Sequence, residues 1–385
     1  VHPFDTLEPE ALRNAYSVKW TLYPEGVLPL WVADMDFPIS ERVRAAMHAR
    51  LDATLGYPPM AGDPALLEAL VKKQAQYGLH DLEPQHLWLV SSVVPGLYAA
   101  VQGLSAPGDE IVTMTPIYPP FLTSITDQGR VALQNPMQFT LDGWRIDFSQ
   151  LETLPTPKTT VFMLCNPQNP TGRVFTRAEL EGLAKFVERH DLLVISDELH
   201  AELILEGAHV PFASLPGMRE RTVTLTGPCK AYNTAGLGGG VMIAHNTALL
   251  ERCKRATKGV MGHPNALSMT MWQAGLGDES GWLPDVLSYI RGNRDFMRDW
   301  LRDHLPEVRF GGLEGTYLAW LDFNAFPDAD KLFKTLLEDA KVALNDGPPY
   351  GTGYSGWLRI NLATSRAILT EALTRIERRL RAGQD

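Results

Sequence analysis

Cysteine is scarce: there are three in 385 residues, Cys165, Cys229 and Cys253, far apart and with no CxxC pair. That spacing supports neither a disulfide framework nor a zinc knuckle, and a reducing compartment, the cytoplasm, is expected. Positive charge is also in deficit. The 35 Lys and Arg against 45 Asp and Glu give a net charge of −10, which argues against nucleic acid as a partner, because such binding rests mainly on neutralising phosphates. No apolar run approaches the ~18 residues of a membrane span, and charge enters already at Asp5, Glu8 and Arg13. Neither an anchor nor a signal segment is expected. His80, His86, His190 and His200 lack metal-ligand spacing, so no metal site is expected. The 32 Gly and 28 Pro fall below the roughly 25–30% that marks low-complexity chains. What is present is a 45% apolar composition, enough for a sizeable core, and a length of two to three units at ~150 residues each.

From about Asp63 to Ala244, short apolar runs alternate with helical patterns. This alternation predicts an α/β fold, mainly a parallel sheet sandwiched by helices. The candidate strands are Leu87–Val90, Glu110–Met114, Thr160–Cys165, Leu192–Ser196, Thr222–Thr226 and Gly240–Ala244. One helix opens at Asp63-Pro64 and stops at Gly78; another opens with Thr176 and Glu179, a capping-box spacing. Beyond Gly281 the pattern becomes a long helix, a strand pair around Tyr317–Phe323 and Trp357–Leu362, and a final helix carrying Leu369, Leu373, Ile376 and Leu380. The expected division is an arm over 1–40, loop-like and packed on the small domain through Trp20, Trp31 and Phe37, then a large α/β domain over 41–280 and a small α+β domain over 281–385.

In open parallel sheets ligands bind beyond the carboxyl ends of the strands, and several reactive residues stand there. After Val90 come Ser91-Ser92-Val93-Val94 and a helical pattern, either a phosphate seat at a helix N-terminus with Ser92 as donor or an ordinary N-cap. Tyr118 lies on a Pro-flanked loop, placed to stack on a planar ring or to fill the core. In Asn166-Pro-Gln-Asn169-Pro, each proline restricts the asparagine before it, which fixes the Asn169 amide. Asp197 ends a buried run and implies a cationic or donor partner, whether ligand or structural Arg or Lys. Lys230, after Thr226-Gly-Pro-Cys229, is an imine-forming amine or general base if it lies in a cleft and an ordinary solvated lysine if it does not. The glycines 236 and 238–240 precede a strand rather than open a helix, which excludes a dinucleotide fingerprint.

Taken in order, Tyr118, Asn169, Asp197 and Lys230, with Arg359 in the late Trp-Leu-Arg359-Ile-Asn-Leu, resemble the fold-type I pyridoxal-phosphate enzymes of the aspartate aminotransferase superfamily, along essentially the whole chain. Within it, the strings at 29–37, 165–174, 196–200, 211–215, 315–323 and 341–347 resemble the MalY/PatB-like cystathionine β-lyase group. The resemblance implies pyridoxal 5′-phosphate as cofactor, Lys230 as its covalent attachment point and Asp197 on its pyridine nitrogen. It further implies Asn169 on the ring hydroxyl, Tyr118 on the ring face, His200 nearby, and Ser92, Val93, Val94 and Thr226 on the phosphate. Arg359 would clamp the carboxylate of a small-molecule amino acid substrate, with Asp34 and Asn169 beside it. Tyr57 would reach across a homodimer interface. The implied reaction is β-elimination from a sulfur amino acid such as L-cystathionine; amino transfer to a 2-oxo acid and a regulatory role through a protein partner are the alternatives. Three positions depart from related patterns: Cys229 where serine is usual, Gly238 where aminotransferases carry arginine, and His200 where they commonly carry tyrosine. The last two look typical of the lyase group.

Overall fold

The computed structural model describes residues 2–59, 61–140 and 142–382; Val1 and residues 383–385, the outer ends of the expected arm and small domain, lie outside them. Seven strands form the main sheet: β1 (Leu87–Val90), β2 (Glu110–Thr115), β3 (Val131–Pro136), β4 (Thr159–Cys165), β5 (Leu193–Asp197), β6 (Thr222–Thr226) and β7 (Gly240–Ile243). Their spatial order is β1-β7-β6-β5-β4-β2-β3. The pairs from β6 to β3 are parallel, and β7 is antiparallel to both its neighbours. The β6–β7 connection contains only a single turn of 3-10 helix, Ala235–Leu237, too little for the crossover that a parallel return requires. Because β7 alone is reversed, the carboxyl ends of β1, β2, β4, β5 and β6 share one edge.

Sequence reasoning missed β3. It is an edge strand whose side chains are largely half-exposed, so it lacks the continuous apolar run of strands buried on both faces. The helices start where local chemistry dictates. Asp63 caps Pro64–Gln76 by accepting from the Ala65 and Leu66 amides, and Thr176 and Glu179 form a reciprocal capping box on Arg177–Arg189.

A second, antiparallel sheet orders its strands as Arg309–Phe310, Leu318–Asp322, Trp357–Asn361 and Asn345–Asp346. Its core includes Ile290 of Trp282–His304 and Leu369 and Ile376 of Arg366–Arg381, and it takes in Phe4, Trp20, Leu30 and Phe37 from the N-terminal segment. That segment is not loop throughout: it contains the helices Pro9–Asn14 and Val18–Thr21 and a two-residue strand, Leu28–Pro29, parallel to Val342–Ala343. Pieces this short leave no periodicity to read. Among the described residues no helix is long and apolar enough to cross a membrane, and no cluster of three His, Cys, Asp or Glu could hold a metal ion.

Candidate active site

At the shared strand edge lies a cavity of about 200 Å³ whose walls include Ser92, Val93, Val94, Tyr118, Asn169, Asp197, His200 and Lys230. After β1, Ser92 occupies the N-cap position of the helix Val93–Leu104, yet its side chain makes no capping bond. The ordinary-cap alternative therefore fails. Ser92, Val93 and Val94 line the cavity, where first-turn amides have no intrahelical acceptors and the helix dipole presents its positive end. Backbone approach here is close: a Cβ on Gly240 would stand 3.1 Å from the Val93 nitrogen and the Ser92 carbonyl carbon. This is what the glycine run provides.

Asp197 ends β5 with its Oδ1 accepting from the Leu199 amide at 3.0 Å, and it has no ion-pair partner among the described residues. Burial is the main reason its carboxyl is pushed up to about 7, with Glu198 adding to the rise, while the Leu199 bond and the Lys230 charge oppose it. A cation in the cavity would reverse that balance. His200, also buried, is pushed down to about 3 by burial and by the Lys230 and Arg359 charges. Its imidazole is neutral across the physiological range, with Nδ1 unpartnered. Burial also raises the Tyr118 phenol.

Lys230 Nζ donates to the Ala33 carbonyl at 2.7 Å. Asn169 Oδ1 accepts from Arg359 Nη1 at 3.0 Å, which leaves the Asn169 Nδ2 as the amide end available to a ligand. Arg359 Nη2 donates to the Trp31 carbonyl at 3.0 Å and to Asn345 Oδ1 at 2.6 Å, and the guanidinium lies over the Tyr350 ring. Its Nε is buried without a partner.

Not every residue singled out from the sequence meets this cavity: Arg359, bonded to Asn169, is not itself among the lining residues. Thr226 turns its hydroxyl to the Glu198 carbonyl at 3.2 Å and lies outside the lining. Asp34 faces an adjoining groove that also touches Lys230, accepting from Ser17 Oγ at 3.1 Å. Tyr57 is 97% exposed and does not reach the cavity of its own chain. Conversely, sequence reasoning missed the carbonyls of Trp31 and Ala33 and the Asn345 amide. A backbone acceptor carries no residue signature, and Asn345 is recognisable only once its strand is registered against Arg359.

The family model for class I and II aminotransferases matches residues 25–376. Cystathionine β-lyase PatB of Bacillus subtilis is 36% identical over 384 residues, covering 96% of this chain and 97% of its own. A cystathionine β-lyase of Corynebacterium glutamicum is 32% identical over 372 residues, covering 96% and 98%. Among solved structures, cystalysin from Treponema denticola, which contains pyridoxal 5′-phosphate, superposes with a TM-score of 0.93 at 28% identity over 99% of each chain. The matched span and the shared strand-end geometry agree, and the chain belongs to the class I and II aminotransferase family.

Proposed function

We propose that the chain is a pyridoxal-5′-phosphate-dependent carbon–sulfur β-lyase that cleaves L-cystathionine or a related cysteine S-conjugate to a thiol, pyruvate and ammonia. The observation that carries this reading is that an amine, a buried carboxylate and an uncapped helix N-terminus border one cavity. They match the three handles of that cofactor, its aldehyde, its ring nitrogen and its phosphate. The fit extends to finer groups. Asp197 lacks the cation that its burial calls for, and a protonated ring nitrogen is such a cation. The free Nδ2 of Asn169 suits the ring hydroxyl oxygen, and Tyr118 suits the ring face. Ser92 with the Val93 and Val94 amides suits the phosphate, while Thr226, engaged with Glu198, contributes less. The lyase is preferred over an aminotransferase because two relatives of that name match along nearly the full chain.

When bound, the cofactor supplies an electron sink for negative charge developing at the substrate Cα. Arg359 holds the α-carboxylate with a bidentate fork that lysine cannot reproduce. Lys230 Nζ takes the Cα proton as general base and hands it to the departing sulfur. Tyr118, also on the cavity wall, is the alternative donor for that second step. Asp197 holds the positive ring charge, and His200, neutral throughout, adds no competing cation.

Purified protein given cofactor and L-cystathionine, with no oxo acid present, is expected to release pyruvate and homocysteine. Amino transfer to 2-oxoglutarate without pyruvate release would assign the aminotransferase reaction instead. Arg359→Lys is expected to raise KM for L-cystathionine roughly 10- to 100-fold with a smaller change in kcat; an unchanged KM would remove Arg359 from substrate binding. The reading includes a homodimer in which Tyr57 enters the neighbouring site, supported by a large aromatic side chain left exposed beside a loop of prolines. Tyr57→Ala and Lys230→Ala chains, each weak alone, are expected to regain activity when mixed and refolded, because one site of each hybrid has both residues intact. No regain would exclude a shared site.

A further inference from the structure

Between Trp31 and Phe37 the backbone belongs to no helix or strand, and its carbonyls are taken by side chains instead. On one side these donors flank Lys230. Lys230 itself binds the Ala33 carbonyl at 2.7 Å. Asn233 Nδ2 donates to the Met35 and Phe37 carbonyls at 3.1 and 2.8 Å, and its Oδ1 accepts from the Met35 amide at 3.0 Å. On the other side they flank Arg359, which holds the Trp31 carbonyl at 3.0 Å. Asn361, on the same strand face, donates to the Val32 and Asp34 carbonyls at 2.8 and 2.7 Å. Tyr317 adds a second donor to Ala33, at 3.0 Å.

We infer that segment 31–37 is a strap that sets the spacing between the Lys230 amine and the Arg359 guanidinium, and that Asn233 is the positioning residue fixing it to the lysine-bearing loop. Trp31 and Ala33 are two residues apart, at most ~7 Å of chain, so the amine and the guanidinium bound to their carbonyls at 2.7 and 3.0 Å are kept within about 13 Å of each other by one short piece of backbone. Asn233 is suited to the task by conformation as well as by its donors. It has φ +55°, a left-handed geometry that asparagine tolerates better than most non-glycine residues, and this turns one side chain back onto three backbone groups.

The test separates positioning from mere stabilisation. Asn233→Gly keeps the left-handed backbone accessible and deletes all three bonds; Asn233→Asp keeps only an acceptor for the Met35 amide. In cofactor-free protein at one fixed pH, trace acetic anhydride labelling of Lys230, read by peptide mass spectrometry relative to exposed Lys158, is expected to rise roughly 3- to 10-fold in the glycine variant and less in the aspartate variant. In the holoenzyme both variants are expected to raise KM for the amino acid as well as lower kcat. A lowered Tm with Lys230 labelling unchanged in a folded variant would overturn the inference, leaving Asn233 a structural staple; should the glycine variant not fold, the aspartate variant decides. The inference rests on the lysine and arginine roles proposed above. The labelling reads cofactor-free protein, however, so a wild type without lyase activity would defeat that proposal and leave this one standing.

Discussion

Lys230→Ala is expected to lower pyruvate release from L-cystathionine by at least ~10³-fold, because one nitrogen is asked to attach the cofactor, take the Cα proton and deliver a proton to sulfur. General acid–base catalysis alone is worth ~10²–10⁴-fold, and losing the covalent attachment adds to that. No other amine among the described residues lines this cavity. The variant should also lose the visible absorbance that a conjugated lysine imine gives the holoenzyme. Retention of that band together with activity would remove Lys230 from the chemistry. Retention of the band alone would mean that a different lysine carries the cofactor.

Asp197→Asn should act in opposite directions on function and on stability. Asparagine cannot neutralise a ring cation, so cofactor affinity, measured by dialysis and spectral titration, is expected to fall roughly 10²-fold, within the usual range for truncating one member of a buried charge pair. In cofactor-free protein the same residue is a liability. Its folded-state carboxyl lies near 7 against an ordinary 3.8, so between these values the native state holds a proton that the unfolded chain releases. Stability therefore falls as pH rises through that window, by on the order of 4 kcal/mol, and is fully present only below about pH 4. The melting temperature of cofactor-free wild type, compared with the variant, should drop by roughly several degrees between pH 4 and pH 7. Adding pyridoxal phosphate should abolish that slope in wild type only. A parallel pH dependence in both proteins would show that Asp197 is not the group responsible.

Much of this was legible in the sequence, for physical reasons. Strands buried on both faces must be apolar throughout, so β4 and β5 were readable to within a residue. Asp197, at the end of β5, and Asn169, just beyond β4, could then be assigned to one edge by the rule that ligands sit at strand carboxyl ends. Ser92 is instructive because its residue type, taken alone, favours an ordinary cap over a ligand donor. Only the missing capping bond distinguishes the two. β3 was hidden because an edge strand need not be uniformly apolar, and the reversal of β7 was hidden because apolar content carries no direction. The strap was the least legible part. Its acceptors are backbone carbonyls, which carry no residue signature: those of Met35 and Phe37 for Asn233, some two hundred residues away, and those of Val32 and Asp34 for Asn361, more than three hundred residues away.

The place of β7 also bears on how the site comes into being. The first strand of the main sheet pairs with the last and with no other, so β1 waits on the ribosome with both edges bare until residue 243 has emerged. Its arrival welds β1 to β6 and, in the same motion, draws Gly239 against the Ser91 carbonyl at 2.7 Å. The anion seat and the lysine loop thus mature together, and a nascent chain halted before residue 240 has neither.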